Sequence, residues 1–240
     1  MKGALRIVYP PQCLACGETV GQDGALCPNC WRETDFIGDC ACRTCGVPLP
    51  GDGTDASYDL TCDDCLHLPR PWQSARAAVT YRGAGRQLAL MLKHGDRLDI
   101  ASALGGWVAD AAGPLIRKEA VVAPIPLHFR RMMKRRYNQA ELLAREVAAR
   151  HRLTHLPGLL QRKRATPPQD HRNLEDRFAN VADAFTLRPR HAAQIKDRPI
   201  ILVDDVMASG ATLAAAAQTL LAAGSGPISV VVLARAVKET

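Results

Sequence analysis

The sequence lacks any long apolar run. None of its 240 residues falls in an uninterrupted apolar stretch of about 18 residues, so we predict no transmembrane helix. The first residues, MKGALRIVYPPQC, hold too short an apolar stretch for a secretory signal peptide, and a Pro-Pro pair follows at once. We therefore expect a cytoplasmic protein. Any contact with the inner face of the cytoplasmic membrane would be made through partners.

Cysteine is absent beyond Cys65, and all nine cysteines fall between Cys13 and Cys65. In a cytoplasmic chain such clustering favours metal binding over disulfides. Eight of them form the pattern CxxC-x10-CxxC followed by CxxC-x16-CxxC. Two CxxC turns supply four thiolates in a tetrahedron, which suits Zn²⁺. We predict two zinc sites, with the ligands Cys13, Cys16, Cys27 and Cys30 in the first and Cys42, Cys45, Cys62 and Cys65 in the second.

Four details accompany the zinc prediction. Cys40 is left over, either as a free thiol or as an alternate ligand. The second site is spaced more widely, through GDGTDASYD. Four thiolates leave no open position for a substrate, so we predict a structural role for the metal rather than a catalytic one. Gly17 and Gly46 each follow the second cysteine of a pair, where a residue tolerant of positive φ is expected.

Charge is unevenly distributed along the chain. Residues 1–75 carry a net charge of −5 and residues 76–240 carry +12. This shift, with the linker-like segment PRPW, predicts two domains, a double zinc ribbon over 1–70 and a second domain over 71–240. A basic second domain favours phosphorylated ligands or nucleic acid as partners, with a solvated basic surface as the alternative.

Apolar strands alternate with helical segments in the second domain. The patterns predict strands at 74–81, 120–126, 199–203 and 227–236 and helices at 83–95, 98–117, 137–150 and 211–223. Strands that are nearly all apolar indicate a parallel sheet covered on both faces, hence an α/β fold. Ligands of such sheets bind beyond the carboxyl ends of the strands.

The stretch IILVDDVMASGAT, residues 200–212, lies at such a strand end. A helix predicted to begin near Thr212 offers free backbone N–H groups that can hold a phosphate. Asp204 and Asp205 lie too close to that anion to be its ligands, so they are expected to bind hydroxyls or a cation on the same molecule. A ribose 5-phosphate combines these groups. The alternative is that the aspartates only cap the helix.

The same stretch resembles the phosphoribosyl-diphosphate (PRPP) signature of type I phosphoribosyltransferases. The resemblance implies that Asp204 and Asp205 bind the ribose hydroxyls, with Asp205 also the candidate catalytic residue, and that Mg²⁺ enters with the diphosphate. It implies that the 5′-phosphate is held by Ala208, Ser209, Gly210, Ala211 and Thr212. Ala208 stands where a hydroxyl residue is common, which removes one possible contact.

Two further segments resemble parts of the same fold. LKHGD, residues 92–96, resembles the diphosphate-binding loop, with Lys93 as the candidate ligand; an ordinary helix C-cap is the alternative. Residues 161–180 resemble the mobile loop that closes over PRPP, and a linker without function is the alternative. The loop positions that match the pattern are Arg164, Thr166 and Gln169.

The order of motifs along the whole chain is similar to that of the ComF family, also called ComFC or GntX-like. PIPL, RRYNQAELLA, RATPPQ and RFANVADAF stand between the cysteine pairs and the PRPP motif. The resemblance implies a type I phosphoribosyltransferase fold behind a double zinc ribbon, and a role in DNA uptake during natural transformation. It implies single-stranded DNA and the competence helicase or other uptake proteins as partners.

The function is left open between two classes. The first is a phosphoribosyltransferase, in which positioning and charge stabilisation do most of the work, so that no obvious nucleophile is needed. The second is a non-catalytic adaptor that binds PRPP, a nucleotide or single-stranded DNA. Five cations between Arg130 and Arg136 could neutralise a nucleic-acid backbone. No stretch identifies an acceptor.

Overall fold

Five parallel strands form the centre of the fold. The computed structural model describes residues 9–51, 60–94, 97–129, 132–133, 136–163 and 183–237. The strands are β1 (Ser74–Thr80), β2 (Val121–Pro124), β3 (Thr154–His155), β4 (Leu160–Arg162), β5 (Phe185–Leu187), β6 (Ile200–Met207) and β7 (Ile228–Arg235). The sheet has the order β1-β7-β6-β2-β3, and every neighbouring pair in it is parallel. β4 and β5 form a separate antiparallel pair.

Two short helices precede β1, and the later helices connect the strands and cover the sheet. They are α1 (Pro28–Arg32), α2 (Asp63–His67), α3 (Gly83–His94), α4 (Ala101–Ala112), α5 (Gln139–His151), α6 (Ala192–Ile195) and α7 (Ala211–Ala222). α3, α4 and α5 pack in one layer, and α7 packs on the opposite side with the β4–β5 pair. This arrangement confirms the predicted α/β class, a parallel sheet flanked by helices.

Side-chain alternation along each strand divides the core between the two faces. Ile201 and Val203 of β6 pack with the α3–α5 layer, whereas Ile200 and Leu202 pack with α7. Successive residues of a strand point to opposite faces, so a strand buried on both sides is apolar throughout. This explains why the predicted strands are nearly continuous apolar runs.

The cysteine-rich segment, described over 9–51 and 60–67 and here called the cysteine module, packs along the outer edge of β1. Phe36 forms an antiparallel bridge with Val79. Ile37 N donates to Ala78 O over 3.0 Å, and Thr80 N donates to Asp35 O over 2.9 Å. β1 therefore has β7 on one side and main-chain partners from the cysteine module on the other.

Two differences from the sequence prediction concern the strands. β6 continues past the predicted end at residue 203 to Met207, because β7 pairs with it as far as Arg235 opposite Met207. The two aspartates therefore lie within the strand rather than after it. The short strands β3, β4 and β5 have no counterpart in the prediction, since two or three residues are too few to show alternation.

Candidate functional site

The eight paired cysteines converge in two clusters. The sulfurs of Cys13, Cys16, Cys27 and Cys30 lie within 4.8 Å of one another, as do those of Cys42, Cys45, Cys62 and Cys65. Gly17 and Gly46 have φ angles of +80° and +68°, which confirms the positive φ expected after each CxxC pair. These are the first and second clusters below.

Sulfur separations and polarity fit zinc in both clusters. Tetrahedral Zn²⁺ with Zn–S bonds of about 2.3 Å places sulfurs about 3.8 Å apart. The Sγ atoms of Cys16 and Cys27 are 3.7 Å apart, and those of Cys45 and Cys62 are 3.6 Å apart. Cys27 N donates to Cys13 Sγ over 3.2 Å, a contact that favours the thiolate. The two Cys₄ groups are therefore zinc-binding groups.

Thiolate formation is favoured unequally within each cluster. The hydrogen bond from Cys45 lowers the pKa of Cys42 to about 4, although burial opposes the shift. Hydrogen bonds from main-chain N–H groups lower the pKa of Cys13 to about 6 against the effect of burial. The first thiolate of each cluster thus forms readily, and a bound cation would favour ionisation of the others.

Cys40 lies outside both clusters. Its Sγ is half-exposed and donates to Pro50 O over 3.7 Å. Between a free thiol and an alternate zinc ligand, this geometry fits the free thiol.

The predicted PRPP residues of β6 are two adjacent half-buried aspartates. Asp205 N donates to Asp204 Oδ1 over 2.9 Å, and Val206 N donates to Asp205 Oδ1 over 2.8 Å. Each carboxylate is therefore held by the main-chain N–H of the next residue. The remaining carboxylate oxygens can accept hydrogen bonds from a diol.

Lys93, at the carboxyl end of α3, lies close to Asp204. Burial and then the Asp205 charge raise the pKa of Asp204 well above its ordinary value, and the Lys93 cation partly offsets this. The Lys93 charge from α3 thus acts on the aspartate pair of β6 at the carboxyl edge of the sheet. Lys93 precedes Asp204 and Asp205 by 111 and 112 positions in the sequence.

A tight loop follows β6 and leads into α7. Gly210 has a φ of +79°, and an added Cβ there would lie 3.2 Å from Arg70 Nη1 and from the Trp72 ring. Ser209 Oγ accepts from Ala211 N over 3.4 Å at the first turn of α7. Residues 208–212, called the phosphate loop below after the phosphate that they are predicted to bind, combine a left-handed glycine with the amino end of a twelve-residue helix.

Two guanidinium groups bind the carbonyls of this segment, a feature that the sequence did not suggest. Arg235 Nη1 donates to Met207 O over 3.1 Å and to Ala208 O over 2.8 Å. Arg70 Nη1 donates to Ser209 O over 2.7 Å. In a planar trans peptide the N–H points opposite to the C=O. The N–H groups of the following residues therefore point away from the two guanidinium groups.

The YNQ segment holds the end of α3. Tyr137 Oη donates to Leu92 O over 2.8 Å, and Gln139 Nε2 donates to Lys93 O over 3.4 Å. Asn138 Nδ2 donates to Ile125 O over 3.0 Å, beyond the end of β2. The segment thus joins the carboxyl end of α3 to that of β2, and it fixes the backbone at Lys93.

Several predicted residues lie outside the described residues. They are Arg164, Thr166 and Gln169 of the predicted mobile loop, and Arg130, Arg131, Lys134 and Arg135 of the basic segment. Arg136 is described and is exposed, with a φ of +65°.

A cavity of about 480 Å³ lies where the cysteine module meets β1 and α4. It is lined by Trp31, Phe36 and Trp107. The ring centroids of Trp31 and Phe36 are 4.7 Å apart, and those of Phe36 and Trp107 are 5.0 Å apart. None of the residues predicted to bind PRPP is among its lining residues. The cavity is therefore separate from the candidate site at β6.

The raised pKa of Asp204 predicts a pH-dependent gain from its removal. An acid whose folded pKa exceeds its unfolded value of about 3.9 costs stability as pH rises towards and through the folded pKa. We expect Asp204→Asn to raise the melting temperature near pH 8 by about 2–4 °C, the equivalent of about 1 kcal/mol. The gain should shrink as pH falls towards 5.5.

Thermal unfolding of both proteins between pH 5.5 and 8.5 measures this difference. Asp99→Asn is the control of opposite sign, because a hydrogen bond from Arg97 lowers the pKa of Asp99. Its carboxylate contributes stability above the unfolded pKa, so that variant should show no gain at high pH. A gain from Asp204→Asn that is equal at every pH would contradict the assignment.

Comparison with known proteins places the chain in a family. Residues 4–66 match the family model of the double zinc ribbon domain. Competence protein F of Haemophilus influenzae is 34% identical over 232 residues, which cover 94% of this chain and 97% of that protein. The chain belongs to the competence protein F family. This confirms the ComF resemblance seen in the order of its motifs.

Other relatives of this competence protein F family member carry a different name. DNA utilization protein YhgH of Salmonella typhimurium is 29% identical over 228 residues, covering 93% of this chain and 89% of that protein. Among solved structures, the allosteric regulatory enzyme of purine biosynthesis is similar at 16% identity with a TM-score of 0.40. The alignment covers 60% of this chain and 30% of the chain of that enzyme. Among the described residues, no helix has the length and hydropathy to cross a membrane.

Proposed function

We propose that this protein binds PRPP together with Mg²⁺ at the carboxyl edge of the sheet and acts in DNA uptake. The observation that carries the proposal is the juxtaposition of Asp204 and Asp205 with a left-handed Gly210 at the start of α7. Carboxylates accept hydrogen bonds from a ribose diol, and a helix amino terminus accepts a phosphate. The two features are spaced along one strand–loop–helix unit, as one ribose 5-phosphate needs.

Lys93 supports the assignment of the diphosphate end. It is the cation that acts on Asp204, and it comes from α3 rather than from the β6 segment. A diphosphate at C1 of a ribose held by the aspartates would extend towards such a cation. Mg²⁺ bound to that diphosphate would neutralise part of its charge.

The chemistry open to such a site is displacement of the diphosphate at C1. A transition state with oxocarbenium character is stabilised by nearby carboxylates and by exclusion of water. Asp205 is the candidate proton acceptor for an incoming nucleophile, because a carboxylate placed beside the reacting centre can take up a proton. Its own N–H bond to Asp204 keeps the two carboxylates side by side.

The link to DNA uptake is supported by the names of the relatives, competence protein F and DNA utilization protein YhgH. Single-stranded DNA and uptake proteins such as a competence helicase are the corresponding candidate partners. In this proposal the domain over 71–240 binds PRPP, and the cysteine clusters over 1–70 hold two structural zinc ions.

Calorimetric titration of the zinc-loaded protein with PRPP and Mg²⁺ tests the proposal. We expect saturable binding, weaker binding of ribose 5-phosphate, and no binding of ribose. An absence of both heat and thermal stabilisation by millimolar PRPP would overturn it. Release of diphosphate in the presence of a panel of bases and amines then identifies a transferase. Binding without release identifies the adaptor.

A further inference from the structure

The knuckle of the second cluster, residues 42–45, is docked on the core by three consecutive carbonyls. Arg43 O accepts from Ala75 N of β1 over 2.7 Å. Thr44 O accepts from Trp72 Nε1 over 2.6 Å, and Cys45 O accepts from Arg235 Nε over 3.0 Å. Each donor belongs to the rest of the chain, so the position of the knuckle depends on all three.

Two of these donors also contact the phosphate loop. Arg235 binds Cys45 O through Nε, and through Nη1 it binds Met207 O and Ala208 O. It is 8% exposed, at the end of β7, so its guanidinium is enclosed between knuckle and loop. The planar fork of arginine presents donors in several fixed directions, which a lysine cannot reproduce.

Trp72 makes the second connection. Its indole is 5% exposed, and an added Cβ at Gly210 would meet it at 3.2 Å. The Arg70 guanidinium lies 5.6 Å from the centre of this ring while donating to Ser209 O. The indole N–H that binds Thr44 O therefore belongs to a side chain that packs against the loop glycine and against Arg70, which binds the loop.

The first cluster has no such connection among the contacts found in the described residues. The residues around the first cluster contact α3 and α4 instead. Ala15 O accepts from Gln87 Nε2 of α3 over 3.1 Å, and a Cβ added at Gly24 would lie 3.3 Å from the Cβ of Ala103 in α4. The chain thus offers two cysteine clusters of the same chemistry, of which one is joined to the phosphate loop.

We propose that metal in the second cluster positions the phosphate loop through Arg235 and Trp72, so that zinc binding there and phosphate binding at residues 208–212 are positively coupled. Zinc holds the knuckle, the knuckle carbonyls hold the arginine fork and the indole, and these hold the carbonyls of the loop. Arg235 and Trp72 are positioning residues. The inference deepens the proposed function and rests on its assignment of the phosphate to this loop.

Hydrogen–deuterium exchange of the loop amides in the full-length chain tests the positioning without any ligand. Cys62→Ser removes one sulfur from the second cluster, and Cys16→Ser, the matched control, removes one from the first. In each cluster the substituted cysteine is the least buried ligand. We expect exchange at residues 208–212 to accelerate at least about tenfold in Cys62→Ser and to stay within about twofold in Cys16→Ser. Equal exchange in both variants would overturn the proposal.

Two further variants separate positioning from general destabilisation. Trp72→Phe keeps an aromatic ring but removes the N–H that binds Thr44 O, and Arg235→Lys keeps the charge but removes the fork. Both should accelerate exchange of the phosphate loop while both clusters keep their zinc and β2 keeps its protection. Acceleration throughout the sheet would show a structural role only, and would overturn the coupling.

Zinc affinity supplies the reciprocal measurement, because coupling between two sites is symmetric in binding free energy. In equilibrium competition with a chromogenic chelator, saturating PRPP should raise the zinc affinity of the second cluster severalfold in the Cys16→Ser chain. In the Cys62→Ser chain, PRPP should leave the zinc affinity of the first cluster unchanged. If the wild-type chain fails to bind PRPP by calorimetry, the proposed function fails, and loop exchange still decides the positioning. An unaltered zinc affinity in the Cys16→Ser chain with bound PRPP would overturn the coupling.

Discussion

Replacement of both aspartates, in the double variant Asp204→Asn with Asp205→Asn, should weaken PRPP binding by at least about 100-fold. Hydrogen bonds to a charged group contribute about 1.5–3 kcal/mol each. About 1.4 kcal/mol corresponds to a tenfold change in affinity, so the loss of two such bonds gives this figure. The asparagine side chain can still accept a hydrogen bond through its amide oxygen, but it carries no charge. Its NH₂ group is a donor and cannot accept a hydrogen bond from a ribose hydroxyl.

Calorimetry in the presence of Mg²⁺ measures the change in affinity. A control variant is needed for the loss of two negative charges as such. The double variant Asp39→Asn with Asp110→Asn also removes two negative charges, but from exposed side chains that line the separate aromatic cavity. That variant should bind PRPP as the wild type does. Retained binding in the Asp204/Asp205 variant, at a preserved melting temperature, would remove the ribose site from β6.

Removal of zinc should unfold the cysteine module and lower the melting temperature by about 10 °C or more. Structural zinc contributes about 10–16 kcal/mol of apparent binding free energy in small zinc domains, where it replaces an apolar core. The second cluster itself is built largely of cysteines, with Val47 and Leu49 packed against it. Without metal little would hold that part of the module together.

Metal analysis and thermal unfolding before and after chelation check this effect. The untreated protein should contain two zinc ions per chain. Cys40→Ser is the matched control, because Cys40 belongs to neither cluster, and it should keep both ions and the full melting temperature. A single zinc per chain would show that one cluster is degenerate, and an unchanged melting temperature after chelation would contradict a structural role for the metal.

The sheet could be predicted because each long strand is buried on both faces. β7 is buried at every position from Ile228 to Arg235, and its apolar run predicts a strand without any other information. The end of β6 differs from the prediction for the opposite reason. Asp204 and Asp205 interrupt the apolar pattern, while the pairing that extends the strand comes from β7 and has no trace in the local sequence.

The sequence points to candidate site residues only where the side chains themselves carry the expected chemistry. The aspartate pair and the cysteine pairs carry their chemistry in their side chains, so pattern and spacing point to them. Arg235 and Trp72 act on main-chain carbonyls of distant residues. Any sequence offers such carbonyls everywhere, so no pattern reveals which of them an arginine at a strand end will bind.

The two edges of the parallel sheet differ in a way that bears on solubility. At one end β3 has only two residues, too short to template another strand. At the other end β1 is seven residues long, and the bridge from Phe36 to Val79 occupies its outer side. A chain cut back to residues 71–240 would expose a seven-residue edge strand whose N–H and C=O groups could pair with another sheet. By covering this edge, the cysteine module occupies backbone groups of β1 that could otherwise pair with a second copy of the chain.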